Sequence, residues 1–190
     1  FLIDTGLAGM PADLIFPYMQ EHGLPAASLG LVASTHAHAD HMGGNAEIKA
    51  ACPWARLGAH ELDRAWIEDH DRLCHDLYER HPEMGLFDSA GRQLMMDVCG
   101  GDSPLDVVWS GGEVLDLGAG RHVEVVHAGG HSEGNTVFLD RDAGILFEAE
   151  TILGGATGEP GALAVPYYHD PAVYRSTLRR LAELPWELML

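Results

Sequence analysis

Basic side chains are scarce in this chain. Eleven lysines and arginines stand against 29 aspartates and glutamates, for a formal charge of −18. Nucleic-acid binding draws much of its affinity from cations that neutralise phosphates, and no basic run offsets the acidic total. No nucleic-acid partner is therefore expected. Cysteine is also rare: Cys52, Cys74 and Cys99 are odd in number and far apart. They make neither a disulfide framework nor a CxxC metal knuckle, and read as buried thiols of a reducing compartment. Long apolar runs are missing too. None reaches the roughly 18–20 residues of a membrane helix, and Phe1-Leu2-Ile3 lacks the basic start and long apolar stretch of a signal peptide. The expected setting is cytoplasmic, with no membrane partner. Oligomeric state is not legible.

What is present suits a soluble globular domain. The apolar fraction is 46% and the charged fraction 21% over 190 residues, enough for one real core. Residues 1–190 are expected to form a single domain. Phe1 to Asp4 reads as a buried strand closed by Thr5-Gly6, and Ser28 to Ala33 as a second strand. Residues 12 to 22 read as a helix that Pro17 should kink or shorten. A short helix entered through Gly43-Gly44 and a strand over Arg56–Ala59 follow. The clearest helix is expected over 61 to 80, because Leu62, Trp66, Leu73 and Leu77 fall on one face. Residues 81 to 105 carry glycine and proline without a clean period and read as a loop, so that 61–105 together form a lid. From Val107 short strands alternate with turn signals: 107–109, 114–117, 123–126, 137–139 and 145–147, with a hairpin turn at Asp140–Gly144. A Gly/Pro-rich loop covers 154 to 166. A last helix is expected from Pro171 to Leu184, and Trp186–Leu190 reads as the start of a strand. The order, mixed β and α, then mostly β, then α, implies an α/β layered fold.

The chemistry concentrates in Thr35-His36-Ala37-His38-Ala39-Asp40-His41, part of a chain with 12 histidines. His36 and His38 are two apart, so on an extended strand end their rings point the same way and can share a metal. Asp40 and His41 then turn away in the loop and can reach a second metal. Imidazole and carboxylate donors suit Zn²⁺, with Fe and Mn also possible. The plainer alternative is a histidine cluster on a solvated loop. Four ligand residues within six positions at a strand's C-terminal end argue against it. His131 follows a β run and two glycines, so the backbone can turn sharply and present the ring.

These residues resemble a known family. His36-Ala37-His38-Ala39-Asp40-His41 matches the HxHxDH motif of the metallo-β-lactamase superfamily, and Gly43-Gly44 is typical of it. The resemblance spans the chain: Phe1–Gly6 is similar to the family's early strand ending in an Asp-Thr-Gly turn. Ala128-Gly129-Gly130-His131-Ser132-Glu133-Gly134-Asn135 is similar to its second motif. The resemblance implies an αββα metallo-β-lactamase sandwich, here trimmed at both termini, without the family's N-terminal hairpin and last histidine. It implies a dinuclear, zinc-type site, with His36, His38 and His131 holding the first metal and Asp40 and His41 the second. The sequence departs from the family where Glu150 stands in place of the bridging Asp and Ala149 in place of the preceding Gly. Glu150 is expected as a bridging metal ligand, the alternative being a solvated acid.

The function so implied is hydrolysis of an ester, thioester, lactone or amide bond in a small-molecule substrate by a metal-activated hydroxide that Asp40 orients, making Asp40 the catalytic residue. The rival readings are a non-catalytic or degenerate metal-binding member, a phosphodiesterase or nuclease branch, and a flavodiiron-type redox protein. That last group has Glu where His38 stands. Among the other histidines, His169 reads as a surface turn residue that could face the pocket as a proton donor. His60, His70, His75 and His81 read as polar-face residues, and His122 and His127 as structural. Trp66 and Tyr78 read as packing residues.

Overall fold

A computed structural model describes residues 1–80, 87–152 and 168–190. The expected loop at 154–166, His81 and much of the first half of the 81–105 segment lie outside the described residues. The chain divides into two compact units, Phe1–Trp109 and Ser110–Leu190, each built on one sheet.

The first unit carries a four-stranded sheet in the order β1 (Leu2–Ile3), β2 (Leu31–Ala33), β3 (Arg56–His60), β4 (Val107–Trp109). All pairings are parallel: Leu2 faces Val32, Leu31 faces Arg56 and Gly58 faces Val107. Parallel neighbours need crossovers, which helices supply. Between β1 and β2 the chain makes a wide i→i−5 turn over Pro11–Ile15, where Phe16 N–H donates to the Pro11 carbonyl, and then α1, Phe16–Glu21. Pro17, which has no N–H to donate, stands directly after this wide turn in a helical run that is otherwise continuous from Met10, the local distortion expected of it. Between β2 and β3 lie α2 (Ala39–Met42) and α3 (Asn45–Ala51).

The long β3–β4 crossover differs from expectation. In place of one helix over 61–80 there are α4 (Arg64–Ile67), α5 (His70–Leu73) and a wide turn over Cys74–Tyr78. The break is at Asp69, whose backbone is extended and whose carboxylate accepts from Arg72 N–H at 2.9 Å. A capping side chain here competes with continuous helix. Trp66, Leu73 and Leu77 still pack into one cluster with Met42, Ala59, Ile67 and Cys99, whereas Leu62 is exposed. The segment read as a loop contains α6, Ser89–Cys99, capped by Asp88 on Gly91 N–H and ended at Gly100 in a left-handed conformation. Gly91 and the scattered apolar pattern hide this helix in the sequence. A second cluster joins Leu29, Val32, Ile48, Cys52, Ala55 and Leu57. Each fully buried side chain of this size contributes about 1.5–3 kcal/mol.

All three cysteines are free and buried. Burial pushes the Cys74 thiol up and the Cys99 thiol up to about 12, so neither is a thiolate at neutral pH. His60 and His70, read as polar-face residues, are instead buried, while His75 is exposed. His60 is the last residue of β3, and His70 stands four residues after Trp66 and three before Leu73, on the apolar stripe itself.

The second unit is an antiparallel meander, β5 (Val114–Gly118), β6 (Arg121–His127), β7 (Thr136–Asp140) and β8 (Ile145–Phe147), to which β9 (Leu188–Met189) adds in parallel beside β8. The hairpin at Asp140–Gly144 is closed by Asp140, which accepts from Ala143 N–H at 2.9 Å, and by Gly144 at φ +65°. The last helix, α7, spans Pro171–Leu181, three residues shorter than expected. Asp170 caps it on Ala172 and Val173 N–H. Ala128, Val137, Leu139, Leu146 and Leu181 form this unit's core. Among the described residues no helix is long and apolar enough to cross a membrane.

Candidate metal centre

In the first unit the donor-rich segment leaves the C-terminal end of β2, where ligands of parallel sheets gather. Ser34 N–H still bonds to Gly58 O across the sheet, the chain bends over Thr35–His38, and His38 itself is extended before α2 begins. Asp40 and His41 therefore do not sit in a loop, as the sequence reading has it, but in the single turn of α2. The N–H groups of His41 and Met42 bond back to His38 O, which closes that turn early. An acid in a first helical turn is electrostatically favoured. Gly43 and Gly44 allow a close approach: a Cβ on Gly43 would meet Val98 O at 2.3 Å, and one on Gly44 would meet Thr5 O at 2.7 Å.

The rings of His36 and His38 meet edge to face, with Nε2 of His36 2.9 Å from Nδ1 of His38. The His41 ring lies 4.1 Å from that of His36. His36 is fully buried and His38 nearly so. Two nitrogens on one tetrahedral zinc stand about 3.4 Å apart, given bonds near 2.0–2.1 Å, so this pair needs only a small adjustment to share an ion.

Asp4 sets which nitrogens are offered. It ends β1 in a left-handed conformation, φ +58°. One carboxylate oxygen accepts from Thr35 N–H at 2.7 Å. The other accepts from the Thr35 hydroxyl and from His41 Nδ1, both at 2.8 Å. The Thr35 hydroxyl has one proton, given to Asp4, so it can only accept from His36 Nδ1 at 3.0 Å. Both His36 and His41 therefore carry their protons on Nδ1 and turn the Nε2 lone pair outward, the arrangement in which outer hydrogen bonds orient metal-binding imidazoles. Nε2 of His41 faces the Asp40 carboxylate at 3.6 Å. Around this sit Thr5, whose hydroxyl donates to Asn45 Oδ1 at 3.0 Å, and Asn45, whose amide donates to the Ser34 hydroxyl. Asp63 accepts from Ala37 N–H at 3.0 Å. Sequence reasoning gave no role to Asp4, Asn45 or Asp63. The Asp-Thr-Gly turn was the available signal for the first, and nothing local marked the other two.

In the second unit His131 follows β6 through Gly129-Gly130. Gly130 has φ +130°, and a Cβ there would meet the Tyr174 backbone at 2.5 Å. The turn is closed by Ala128 N–H to Asn135 O and by Thr177, whose hydroxyl donates to Gly129 O. Asn135 also donates to the Thr151 hydroxyl at 2.6 Å, tying this loop to the segment after β8. That segment carries Glu150, whose carboxylate lies 3.0 Å from His131 Nε2. Ala149 adopts φ +51°, a conformation that favours glycine. The backbone here makes the turn that the glycine of the resembled family would make. Burial pushes the neighbouring Glu148 carboxyl up; two backbone amides pull it down and the charge of Glu150 adds a smaller upward push. His169 pairs with Glu133 at 3.0 Å and its N–H bonds to His131 O. His127 bonds to Glu133 O at 2.8 Å, the structural role expected of it.

Each of the two sheets carries imidazole and carboxylate donors of the kind that could hold a metal ion in an α/β protein. The chain belongs to the metallo-beta-lactamase superfamily, whose family model matches residues 1–190. The α/β fold class expected from the sequence is thus that of the chain. Solved structures agree. A metallo-beta-lactamase family protein from Thermus thermophilus is 21% identical, with a TM-score of 0.75 over 98% of this chain and 62% of its own. BJP-1, a subclass B3 metallo-beta-lactamase of Bradyrhizobium japonicum, is 22% identical, with a TM-score of 0.67 over 98% of this chain and 64% of its own. TTHA1623, solved in a di-iron-bound form, is 25% identical, with a TM-score of 0.63 over 94% of this chain and 75% of its own. The chain thus spans somewhat under two thirds of the length of the first two.

Proposed function

We propose that this chain carries the metal site of a metal-dependent hydrolase acting on a small molecule with an ester, thioester, lactone or amide bond. The observation that carries the reading is the tautomer control exerted by Asp4 and Thr35, which turns Nε2 of His36 and His41 outward as lone-pair donors. His36, His38 and His131 would hold one ion, and Asp40 and His41 a second, with Glu150 reaching both. Four imidazoles and two carboxylates are a donor set that zinc accepts, and iron or manganese as well. Bound there, divalent ions supply a water of lowered pKa and polarise a carbonyl oxygen.

The chain's own residues do the rest. Asp40 extends an exposed carboxylate from α2, placed to orient the attacking water and hold its proton at a carboxylate oxygen. Asp4 keeps His41 from rotating. The buried surroundings of His36 and His131 exclude bulk water and strengthen the electrostatics at the reacting carbonyl. The acidic total of −18 disfavours polyanionic substrates, which ranks a phosphodiesterase or nuclease activity below carbonyl hydrolysis. A second reading, a metal-binding protein without turnover, is favoured by one feature: Glu150 where the resembled family has Asp.

Metal analysis of the zinc-loaded chain, with turnover on ester, thioester, lactone and amide panels, tests this. At least one tightly held ion is expected, lost in His36→Ala, together with hydrolysis of one panel. No retained metal in the wild-type chain sinks the site assignment. Retained metal without turnover leaves the second reading in place.

A further inference from the structure

Asp63 is fully buried, and its carboxylate does a job its position does not suggest. It stands at the start of α4, where an aspartate would ordinarily cap the helix, yet its side chain makes no capping bond. It reaches instead to Ala37, accepting the N–H at 3.0 Å across 26 residues of sequence. Ala37 is itself fully buried and lies between His36 and His38. Its peptide planes therefore fix the direction in which both imidazoles leave the backbone. Burying a carboxylate costs several kcal/mol unless it is well paired, while helix capping from a solvent-facing position would have cost nothing.

We infer that Asp63 is the positioning residue of the first metal site: it sets the His36–His38 pair through the Ala37 amide, and so couples the start of the 61–105 insertion to metal affinity. The inference rests on the metal-site reading above. Asp4 fixes the histidine tautomers, and Asp63 fixes the spacing of the two rings. A bond to a peptide N–H needs only an acceptor of the right length, so the function should follow side-chain reach.

The test uses Asp63→Asn, which keeps length and one acceptor oxygen, and Asp63→Ser, which is too short to reach Ala37 but is a good helix cap. Zinc affinity is read by chelator competition, and site geometry by the visible spectrum of the cobalt-substituted chain. Asp63→Ser is expected to lose about 10- to 100-fold in zinc affinity and to alter the cobalt bands, with unchanged circular dichroism. Asp63→Asn is expected to stay within about threefold of wild type and keep the bands. Independently of any variant, the Ala37 amide resonance of the wild-type chain should move when zinc is added. Wild-type affinity and bands in Asp63→Ser overturn the inference alone, because metal is still bound. If that variant does not fold, an Ala37 resonance that zinc leaves in place overturns it. A wild-type chain that takes up neither zinc nor cobalt overturns this inference and the functional reading together.

Discussion

The two units build their donor sets in opposite ways. In the first, His36, His38, Asp40 and His41 come from six consecutive residues and are held by acceptors gathered from afar: Asp4 on Thr35 and His41, Asp63 on Ala37. In the second, His131 and Glu150 lie 19 positions apart and meet because β7 and β8 fold back on β6, with Asn135 and Thr151 tying the two loops. A contiguous motif brings the donors together by chain connectivity, but their tautomers and directions still need outer partners. A dispersed pair needs the whole sheet to bring it together.

The sharpest way to break this contrast is Asp4→Ala. It strips the acceptor from two Thr35 groups and His41 Nδ1, and hydrogen bonds to a charged group are worth about 1.5–3 kcal/mol each before compensation by water. A loss of about 3 kcal/mol is expected by urea unfolding, with weaker metal retention. A change under about 0.5 kcal/mol would mean that the first unit's donors need no such clamp.

The matching change in the second unit, Glu150→Ala, is expected to leave stability within about 1 kcal/mol, as for a partly exposed ion pair. It should lower metal affinity about tenfold or more, with Glu150→Asp retaining most of it. Metal content after dialysis decides this, and unchanged content in the alanine variant makes Glu150 a solvated acid.

Acid should weaken the first unit selectively. Burial lowers the pKa of His70, partly opposed by Asp102 and Asp69. The unfolded chain then binds more protons than the folded one below the ordinary histidine value of about 6.5. Stability is full above that pH and falls as pH drops towards the lower folded value. The slope of unfolding free energy between pH 7 and 5 should flatten in His70→Phe; an identical slope would clear His70 of the effect.

The smallest effect belongs to Ala149→Gly. Relief of the left-handed strain at φ +51°, about 1–2 kcal/mol for an L residue, is partly cancelled by the extra freedom of glycine in the unfolded chain. A net gain of about 0.5–1 kcal/mol is expected in thermal unfolding. A loss would mean that the Ala149 methyl makes contacts worth more than the strain.

The sequence by itself determined the family and the succession of short strands in the second unit, and it marked the candidate donor residues, because each is written locally. HxHxDH is contiguous, Gly129-Gly130 precedes His131, and turn residues punctuate short β runs. Tertiary structure alone decided the rest. A single helix over 61–80 agrees with apolar periodicity, yet Asp69 capping Arg72 breaks it, and helix α6 arises where the sequence shows no clear period. His60 closes β3 and His70 falls beside Trp66 and Leu73 on the apolar stripe, so both are buried where the sequence reading put them on a polar face. Asp40 and His41 enter α2 because His38 O accepts from the following turn. The largest gap concerns the acceptors. That Asp4 and Asp63 face the metal loop depends on which strands and insertions pack beside it. Long-range hydrogen bonds leave no periodic trace in the chain that makes them.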